Sequence, residues 1–418
     1  MRAFITDGDQ RPALAIARSL GRRGVSVLVG AAEPASLASA SKYCAGHVTY
    51  PSPYRDPQAF NRFLLNLVER ERIDVVMPVS DVTTHLVSKN APALGRHTAV
   101  AAPPFEAFDF AGNKIRVLQQ AIECGIPVPR TAFVAGLPDV KRLLHQVSYP
   151  AVIKPMRSRI PTATGWLQTQ VQYAHDASDL LRLYRETDYL DGCPSMIQER
   201  IVGPGAGVFV LCDRGRLRAA FAHRRLREKP PSGGVSVLSE SLALDPQLVG
   251  YAMRMLEPLR WHGVAMMEFK HDRCTGRSFL MEINGRFWGS LDLAVRAGVD
   301  FPYLNYQLAL GRRLEMHDRY QVGVRSRWLF GDLDHLLIRL LHGTRAQHLQ
   351  EGAPSRLGAL WQFMRPAGRR TRYDVISADD PRPFLHELRL NARQWAASLA
   401  RLRPHSSHPG EIRCESAT

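Results

Sequence analysis

The stretch "RSFLMEINGRFWGSL", residues 277–291, decides both the fold and the chemistry expected of this chain. Its apolar run places Glu282, Asn284 and Arg286 at every second position. Because successive side chains of a β-strand point to opposite faces, a strand would aim these three polar groups at one face. The same alternation gives two faces, one with Leu280, Glu282 and Asn284, and the other with Phe279, Met281 and Ile283. One face is therefore predicted to be core and the other to carry polar chemistry.

Length and composition indicate a soluble globular protein. The 418 residues exceed the usual size of one compact domain, so two or three structural units are expected. With 45% hydrophobic and 22% charged residues, the chain can build real cores. No run approaches the ~18 apolar residues that span a bilayer. The six cysteines are scattered without metal-ligand spacing or a disulfide framework. We therefore expect a cytoplasmic protein with reduced thiols and no zinc site.

The formal net charge of +16 is compatible with a polyanionic partner such as nucleic acid, anionic lipid or a phosphate-rich substrate. Nearly all of the positive charge is arginine, and lysine occurs at only seven positions. A compact ammonium differs chemically from a guanidinium fork. A lysine kept inside an apolar segment is therefore more informative here than in a lysine-rich sequence.

The first hundred residues alternate strand and helix patterns. "RAFITDG" and "VSVLVG" are typical of strands, and between them lies the amphipathic helix pattern "PALAIARSLGRRG". A further helix precedes the strand pattern "DVVMPVS". This alternation predicts a parallel α/β domain over residues 1–108. The turn "DGDQRP" lacks the GxGxxG phosphate-binding pattern, so a dinucleotide-binding function is not expected.

The rest of the chain divides into two further regions. Over residues 109–315, runs of strands with segregated helices predict an α+β region. Beyond residue 315 lysine disappears, and amphipathic patterns predict a basic, mainly helical region over residues 316–418. Its last stretch, "PHSSHPGEIRCESAT", is expected to be a mobile end.

The segments "GVAMMEFKHD" and "RSFLMEIN" predict a hairpin with opposed carboxylates. Equal spacing about the "RCTG" turn places Glu268 directly across from Glu282, and like charges in that arrangement are destabilising. A bound hard cation would offset the repulsion, because two carboxylates and the amide oxygen of Asn284 form the all-oxygen set that Mg²⁺ or Mn²⁺ prefers. The alternative is an ordinary hairpin whose carboxylates meet Lys270, Arg286 or solvent.

Three more segments carry candidate binding residues. Lys154 ends the apolar strand "YPAVIKP", where a cation needs an anionic partner such as a phosphate, or else snorkels to water. Lys114 lies in the first turn of a predicted helix, where a solvated lysine is also common. In "SMIQERIVG", Glu199 could accept a hydrogen bond from an exocyclic amine such as that of adenine, while the main chain of Ile201 hydrogen-bonds to the edge of the ring. An edge-strand glutamate paired with an arginine is the alternative.

Taken together and in order, these motifs resemble the ATP-grasp superfamily over roughly residues 1–315. The most specific element is Glu-x-Asn-x-Arg, preceded some fourteen residues earlier by a second glutamate on a partner strand. The resemblance implies an α/β pre-ATP-grasp domain followed by an α+β ATP-grasp fold. It also implies that the chain binds ATP and Mg²⁺ (or Mn²⁺). Lys114 and Lys154 would bind the nucleotide phosphates, and Glu199 would accept from the adenine amine. Arg286 would bind the transferred phosphoryl group or the acyl phosphate, and the metal ions would be bound by Glu268, Glu282 and Asn284.

The chain departs from the family pattern after the second lysine. Many members have a glycine-rich flap there, whereas "MRSRIPTATGW" has Arg157 and Arg159 but one glycine. Phosphate closure is therefore expected to use guanidinium groups or a stiffer lid rather than a backbone cradle.

A second glycine-containing segment, "HRRLREKPPSGGVSVLSES", combines a basic strand with a Gly-Gly turn. Adjacent glycines allow positive φ and close backbone approach, so the segment is a candidate cradle for the acceptor or acyl phosphate. Its candidate substrate residues are Arg225, Gly233, Gly234 and Ser236. A plain hairpin turn is the alternative.

The resemblance is to the carboxylate-amine ligase branch near carbamoyl-phosphate synthase. It implies an ATP-dependent ligase that joins a small-molecule carboxylate to an amine through an acyl phosphate. Carboxylation through carboxyphosphate is the alternative within enzymes, and a weakened grasp fold serving as a binding platform is the alternative outside them. The basic tail could dock on nucleic acid or an anionic membrane, but its arginines are interleaved with acidic residues, which favours a packed helical surface. A homo-oligomer is compatible with the sequence.

Overall fold

The computed structural model of the protein describes residues 1–162, 165–341, 353–365, 368 and 370–401. The N-terminal part is a five-stranded parallel sheet in the order β3-β2-β1-β4-β5, as the alternating pattern predicts. Ala3 and Ile5 pack on one side of this sheet and Phe4 on the other, so both faces are buried. The elements are β1 Arg2–Ile5, α1 Arg11–Gly21, β2 Ser26–Ala31, β3 Gly46–Thr49, α2 Pro57–Arg70, β4 Val75–Met77, α3 Asp81–Lys89, α4 Ala91–Leu94 and β5 Ala99–Val100.

The strand order reverses between β1 and β4, which creates a crevice at their carboxyl ends. The loops that border it are fixed by the buried Asp7. One Asp7 carboxylate oxygen accepts hydrogen bonds from the Thr6 hydroxyl at 2.6 Å, the Thr83 hydroxyl at 2.6 Å and the Ser80 main-chain N–H at 2.9 Å. Ser80 also caps α3, whose first residue is Asp81. The crevice is therefore a rigid edge of the N-terminal domain.

The middle of the chain forms a four-stranded antiparallel sheet in the order β10-β7-β11-β6. A separate two-stranded hairpin, β8–β9, stands between β7 and β10 in the chain. The elements are α5 Phe105–Gly112, α6 Lys114–Glu123, β6 Thr131–Val134, α7 Leu137–Leu143, a 3₁₀ turn Leu144–Gln146, β7 Ala151–Pro155, β8 Arg159–Thr162, β9 Gly165–Gln168, β10 Gln172–Ala174, α8 Ala177–Glu186, α9 Asp188–Gly192 and β11 Ser195–Glu199.

A seven-stranded sheet in the order β16-β15-β12-β13-β14-β17-β18 forms the largest layer. Its long central strands are antiparallel, which agrees with the predicted α+β region. The elements are β12 Gly205–Asp213, β13 Arg216–Lys229, β14 Val235–Leu242, α10 Pro246–Leu256, β15 Gly263–His271, β16 Ser278–Asn284, α11 Leu291–Ala297, α12 Phe301–Ala309, β17 Arg325–Arg327 and β18 Thr371–Tyr373.

The β15–β16 hairpin confirms one expectation and corrects another. Glu268 lies directly opposite Glu282, as the spacing predicts. Between Glu268 and Phe269, however, the register shifts, so that Leu280 rather than Met281 pairs with Phe269. Leu280 therefore packs in the core, whereas Met281 faces the same cavity as Glu282. The expected faces of Leu280 and Met281 were wrong because a β-bulge breaks the two-residue period.

The region beyond residue 315 contributes both helices and sheet. Its helices are α13 Leu329–Leu341, α14 Arg356–Met364 and α15 Arg382–Arg401. β17 pairs with β14, and β18 pairs with β17, so this region extends the seven-stranded sheet. The predicted mobile end, residues 404–418, lies outside the described residues. None of the helices in the described part of the chain is long and apolar enough to cross a membrane.

Candidate functional site

One cavity of about 410 Å³ brings the candidate residues together. It lies between the four-stranded sheet, which contributes β7 and β11, and the seven-stranded sheet, which contributes β13 to β16. Every candidate site residue of the sequence lines it: Lys114, Lys154, Glu199, Ile201, Arg225, Gly233, Gly234, Ser236, Glu268, Glu282, Asn284 and Arg286. Residues up to 172 positions apart in the chain therefore share one wall. Their individual roles remain predictions.

Each of the two opposed carboxylates forms an ion pair with a lysine or arginine side chain. Lys114 Nζ lies 2.7 Å from Glu282 Oε2, and Arg225 makes two contacts to Glu268, one of them 3.1 Å long. Asn284 Nδ2 donates to Glu282 Oε1 at 2.9 Å. Burial alone would raise the pKa of Glu282, but the charge and hydrogen bond of Lys114 outweigh it and hold that pKa below its ordinary value. The predicted repulsion is thus offset by Lys114 and Arg225.

Arg225 reaches Glu268 across an intervening strand. It lies on β13, whereas Glu268 lies on β15, and β12 runs between them. Gly205 on β12 lies beside this path, where a Cβ would make an ordinary van der Waals contact of 3.4 Å with Arg225 Cδ. Arg225 also donates to Glu228 at 2.9 Å. A residue expected to contact substrate therefore also holds a candidate metal ligand.

The donor set of Glu268, Glu282 and Asn284 fits a hard divalent cation. All three project from adjacent strands into one cavity and offer only oxygen as a ligand. No cluster of three or more His, Cys, Asp or Glu side chains occurs in the described ranges, so an ion here would need ligands from water or substrate as well. Each carboxylate has about four lone-pair sites, enough for an ion beside Lys114 or Arg225.

Lys154 is a buried ammonium at the end of β7. Burial lowers its pKa to about 8, although the nearby Glu282 opposes the shift. Among the described residues its nearest hydrogen-bond contact is Met281 Sδ at 3.8 Å, and no carboxylate pairs with it directly. A buried ammonium without a paired carboxylate favours an anionic ligand.

Arg286 joins the cavity to the crevice of the N-terminal domain. Its Nε donates to Asp81 at 2.9 Å, one terminal nitrogen donates to the Phe287 carbonyl at 2.9 Å, and the other lies 3.4 Å from Asn284 Oδ1. Asp81 is the first residue of α3, at the carboxyl end of β4. The guanidinium is therefore oriented by both domains.

At the opposite end of the cavity, the side chain of Glu199 is already engaged. Both of its oxygens accept from Arg130, at 2.8 Å from the main-chain N–H and 3.2 Å from Nε. Gln198 is 2% exposed and donates from Nε2 to the Thr131 hydroxyl at 2.9 Å. Because that hydroxyl donates in turn to the Pro129 carbonyl, the orientation of the Gln198 amide is fixed. Gln198 Oε1 then remains an acceptor without a partner among the described residues.

Sequence reasoning missed several lining residues, notably Gln198, Met281, Trp288 and Ser290. Gln198 had a visible signal, since it is a polar residue inside the apolar strand pattern "SMIQE". Trp288 and Ser290 follow directly after Arg286, but nothing in their spacing distinguishes cavity lining from core. Met281 could not be found by alternation, because its direction depends on the bulge.

The β8–β9 hairpin, where a lid was expected, rests on the N-terminal domain. Trp166 Nε1 donates to the Pro53 carbonyl at 3.2 Å, and the Trp166 ring meets His85 edge-on with centroids 5.0 Å apart. Arg159 lies over the ring of Tyr54. The two arginines of this segment thus contact protein groups, since Arg157 also pairs with Asp109 at 3.0 Å.

Comparisons with known proteins give similarities in sequence and in fold. A family model described as "ATP-grasp in the biosynthetic pathway with Ter operon" matches residues 193–330. A formate-dependent phosphoribosylglycinamide formyltransferase of Rhodococcus jostii (strain RHA1) is 29% identical over 135 residues, which are 31% of this chain. The match spans about a third, 32%, of that relative's length.

Two solved structures share the fold. The biotin carboxylase of Campylobacter jejuni, in a beta-gamma-ATP complex, superposes with a TM-score of 0.61 at 17% identity, covering 77% of this chain and 74% of that one. The L-amino acid ligase of Bacillus licheniformis superposes with a TM-score of 0.57 at 20% identity, covering 74% of each chain. The chain therefore shares its fold with these two enzymes, and residues 193–330 match an ATP-grasp family model.

Proposed function

We propose that the protein is an ATP-dependent ligase that joins a carboxylate to an amine through an acyl phosphate. The observation that carries the proposal is the convergence of lysines, arginines and an all-oxygen donor set on one cavity. Phosphoryl transfer needs positioning and neutralisation of charge more than a nucleophilic side chain. A site of this composition meets that need.

Lys114 and Lys154 would hold the nucleotide phosphates. Support comes from Lys154, a buried ammonium that no carboxylate pairs with directly. At the base end, Ile201 lines the cavity, and Gln198 Oε1, which has no partner among the described residues, is an acceptor suited to the exocyclic amine of adenine. We assign the amine to Gln198 rather than to Glu199, because Gln198 Oε1 has no partner among the described residues, whereas both Glu199 oxygens already accept from Arg130.

Glu268, Glu282 and Asn284 would hold Mg²⁺ or Mn²⁺. When bound, such an ion neutralises phosphate charge and orients the γ-phosphoryl group. Lys114 and Arg225 occupy the two carboxylates in its absence, so they are the groups that must share or release them.

The proposed reaction has two steps. A carboxylate oxygen of the acyl substrate attacks the γ-phosphorus of ATP, the new O–P bond forms, and the bond to the β-phosphate oxygen breaks to release ADP. The amine then attacks the acyl carbon, the C–N bond forms, the C–O bond to phosphate breaks, and the nitrogen loses a proton. Arg286, held in place by Asp81, would stabilise the charge on the transferred phosphoryl group.

Carboxylation through carboxyphosphate is the second candidate, because a biotin carboxylase is among the structures that share the fold. Bicarbonate would then take the place of the acyl substrate in the first step. The two reactions differ in what stimulates phosphate release. An amine together with an organic carboxylate stimulates a ligase, whereas bicarbonate stimulates a carboxylase.

The test is phosphate release by the purified full chain with ATP and Mg²⁺, against pooled amino acids and carboxylates, with products identified by mass. Glu282→Gln should abolish turnover, because it removes a carboxylate that both the metal and Lys114 need, while circular dichroism shows a retained fold. Glu186→Gln is the matched control, since Glu186 is 60% exposed on α8. Unchanged turnover in Glu282→Gln would overturn the metal assignment.

A further inference from the structure

The end of the cavity beyond Arg286 contains a group of buried polar residues that the proposed nucleotide and metal sites do not use. Ser236 at the start of β14 is 8% exposed, and Trp288 and Ser290 after β16 are 2% and 6% exposed. All three line the cavity. The region therefore has the burial of a core and the polarity of a binding site.

Two of these side chains have unpaired polar atoms. Ser236 Oγ and Trp288 Nε1 are buried and have no hydrogen-bond partner among the described residues. Leaving such atoms unpaired is costly, and the indole N–H can only donate. The missing partner of Trp288 must therefore be an acceptor oxygen or nitrogen.

The surroundings hold the Trp288 donor in place. The ring of Trp288 packs against Phe209 at 4.3 Å and Phe301 at 5.1 Å between centroids. Ser290, by contrast, is satisfied by His223 Nε2 at 2.7 Å. Burial, with the charge of Arg225, lowers the pKa of His223 to about 3, so this pair carries no charge. His223 Nδ1, Ser236 Oγ and Trp288 Nε1 all have no partner among the described residues, and of these three residues Ser236 and Trp288 line the cavity.

Guanidinium groups lie near the same end. Arg11 Nη2 lies 3.4 Å from the Ser236 carbonyl, and a Cβ at position 289 would lie 3.1 Å from that nitrogen. Gly289 therefore lies close to Arg11 and to the start of β14. Arg11 pairs with Asp374 and does not line the cavity, so Arg286, which is itself ion-paired, is the guanidinium that borders the cavity at this end. One guanidinium beside neutral donors is a combination that recognises a carboxylate.

We propose that Ser236 and Trp288 form a subsite for a substrate carboxylate, held by the Ser236 hydroxyl and the Trp288 N–H beside Arg286. The proposal rests on the proposed ligase function and deepens it. A carboxylate here could belong to an acyl substrate without an amine or to an amino acid. Both present the same oxygens, so the test includes both.

The first test needs no substrate. In the ligand-free protein, Ser236→Ala replaces an unpaired hydroxyl with a methyl group, so its melting temperature should be unchanged or higher. Ser241→Ala, on the same strand, is the matched control. Ser241 Oγ donates to the Gln321 carbonyl at 2.8 Å and accepts from Val324 N–H at 3.0 Å, so that variant should melt lower. Equal destabilisation by the two changes would overturn the proposal.

The second test is calorimetric titration of the full chain with succinate, glutarate, benzoate and the proteinogenic amino acids, each with MgADP present. We expect at least one class to bind the wild-type protein, and Ser236→Ala and Trp288→Phe each to raise its dissociation constant by roughly 10-fold or more. Ser241→Ala should not change that constant. Retained affinity in both variants, or no binding by any member of the panel, would overturn the subsite.

The MgADP titration separates this inference from the proposed function. MgADP should bind wild type, Ser236→Ala and Trp288→Phe equally. If MgADP binds but the carboxylate results fail, the subsite is wrong and the ligase proposal stands on its own assay. If MgADP does not bind at all, the proposed function fails, while carboxylate binding still decides the subsite.

Discussion

Asp380→Asn tests whether the C-terminal region is an integral part of the fold or a weakly attached extension. Asp380 and Arg18 of helix α1 form an ion pair whose side chains are 0% and 2% exposed. Arg18 Nε donates to Asp380 Oδ2 at 2.9 Å. Its other nitrogens donate to the main-chain carbonyls of Asp374, Val375 and Asp380 at 2.9 to 3.0 Å. The segment 374–380 therefore straps the start of the N-terminal domain to the sheet extended by β17 and β18.

The magnitude follows from the hydrogen bonds that converge on the carboxylate. Besides Arg18, the Ser41 hydroxyl donates to Oδ2 at 2.6 Å and the Lys42 main-chain N–H donates to Oδ1 at 2.9 Å. An amide offers one oxygen, so at least one N–H donor would face an NH₂ group. Breaking a buried pair by removing one charge costs about 3–5 kcal/mol. For 418 residues unfolding together, this lowers the melting temperature by about 3–6 °C.

The neighbouring residue provides the control. Asp379 pairs with Arg22 at 3.0 Å, but the two side chains are 42% and 38% exposed. Asp379→Asn should therefore cost about 1 kcal/mol or less, a shift of about 1 °C. The assay is thermal unfolding of the full chain by circular dichroism and differential scanning calorimetry, at equal protein concentration. Equal melting temperatures for the two variants, or an unchanged melting temperature for Asp380→Asn, would show that the segment 374–380 does not stabilise the protein in this way.

Four further outcomes are expected at the candidate site and its lid. Gln198→Leu should reduce the preference for ADP over inosine diphosphate (IDP) by about tenfold in calorimetric titrations, because inosine has a carbonyl in place of the adenine amine. Glu199→Gln should keep that preference. If Glu199→Gln lost the preference and Gln198→Leu kept it, Glu199 would be the residue that binds the amine. Lys154→Ala should weaken ADP binding by about 2–5 kcal/mol, and Lys154→Arg should not restore it; wild-type affinity in the arginine variant would contradict the point-charge role. Burial, aided by Lys89, lowers the pKa of His85 on α3 from 6.5 to about 4. His85 therefore takes up a proton more readily when the β8–β9 hairpin is undocked, and docking should weaken as pH falls from 6.5 towards 4. The emission of Trp166, assigned by difference from Trp166→Phe, should shift to the red over that range in the wild-type protein but not in His85→Phe. ADP and Mg²⁺ should each tighten the binding of the other, and equal ADP affinity with and without Mg²⁺ would argue against the proposed metal site.

The sequence was most informative where chain spacing alone sets geometry. A tight turn fixes the pairing of the strands on either side of it, so the opposition of Glu268 and Glu282 could be predicted and is confirmed. Alternating strands and helices likewise predicted the parallel N-terminal sheet. The bulge next to Met281 could not be predicted, because one inserted residue reverses the faces without changing the apolar pattern.

Contacts between segments that are distant in the chain also could not be predicted from the sequence. The pairing of Arg225 with Glu268 depends on strand order, since β12 lies between their strands. β17 and β18 are three residues each, too short for a period to reveal them. The basic tail was described as mainly helical for that reason, although it also extends the central sheet.

The charge pairs of the ligand-free cavity explain why metal and nucleotide binding should be linked. Lys114 is held by Glu282 and Arg225 by Glu268, so an ion alone must compete with two protein cations for its carboxylates. A nucleotide alone meets several cations that are already neutralised, although Lys154 and Lys270 have no directly paired carboxylate among the described residues. In the proposed site, the carboxylates would hold the ion when nucleotide and ion bind together, and Lys114 and Arg225 would then be available to phosphate oxygens. Each ligand would thereby offset the cost of breaking the ion pairs for the other. By linkage, Mg²⁺ must increase the affinity for nucleotide by the same factor as nucleotide increases the affinity for Mg²⁺.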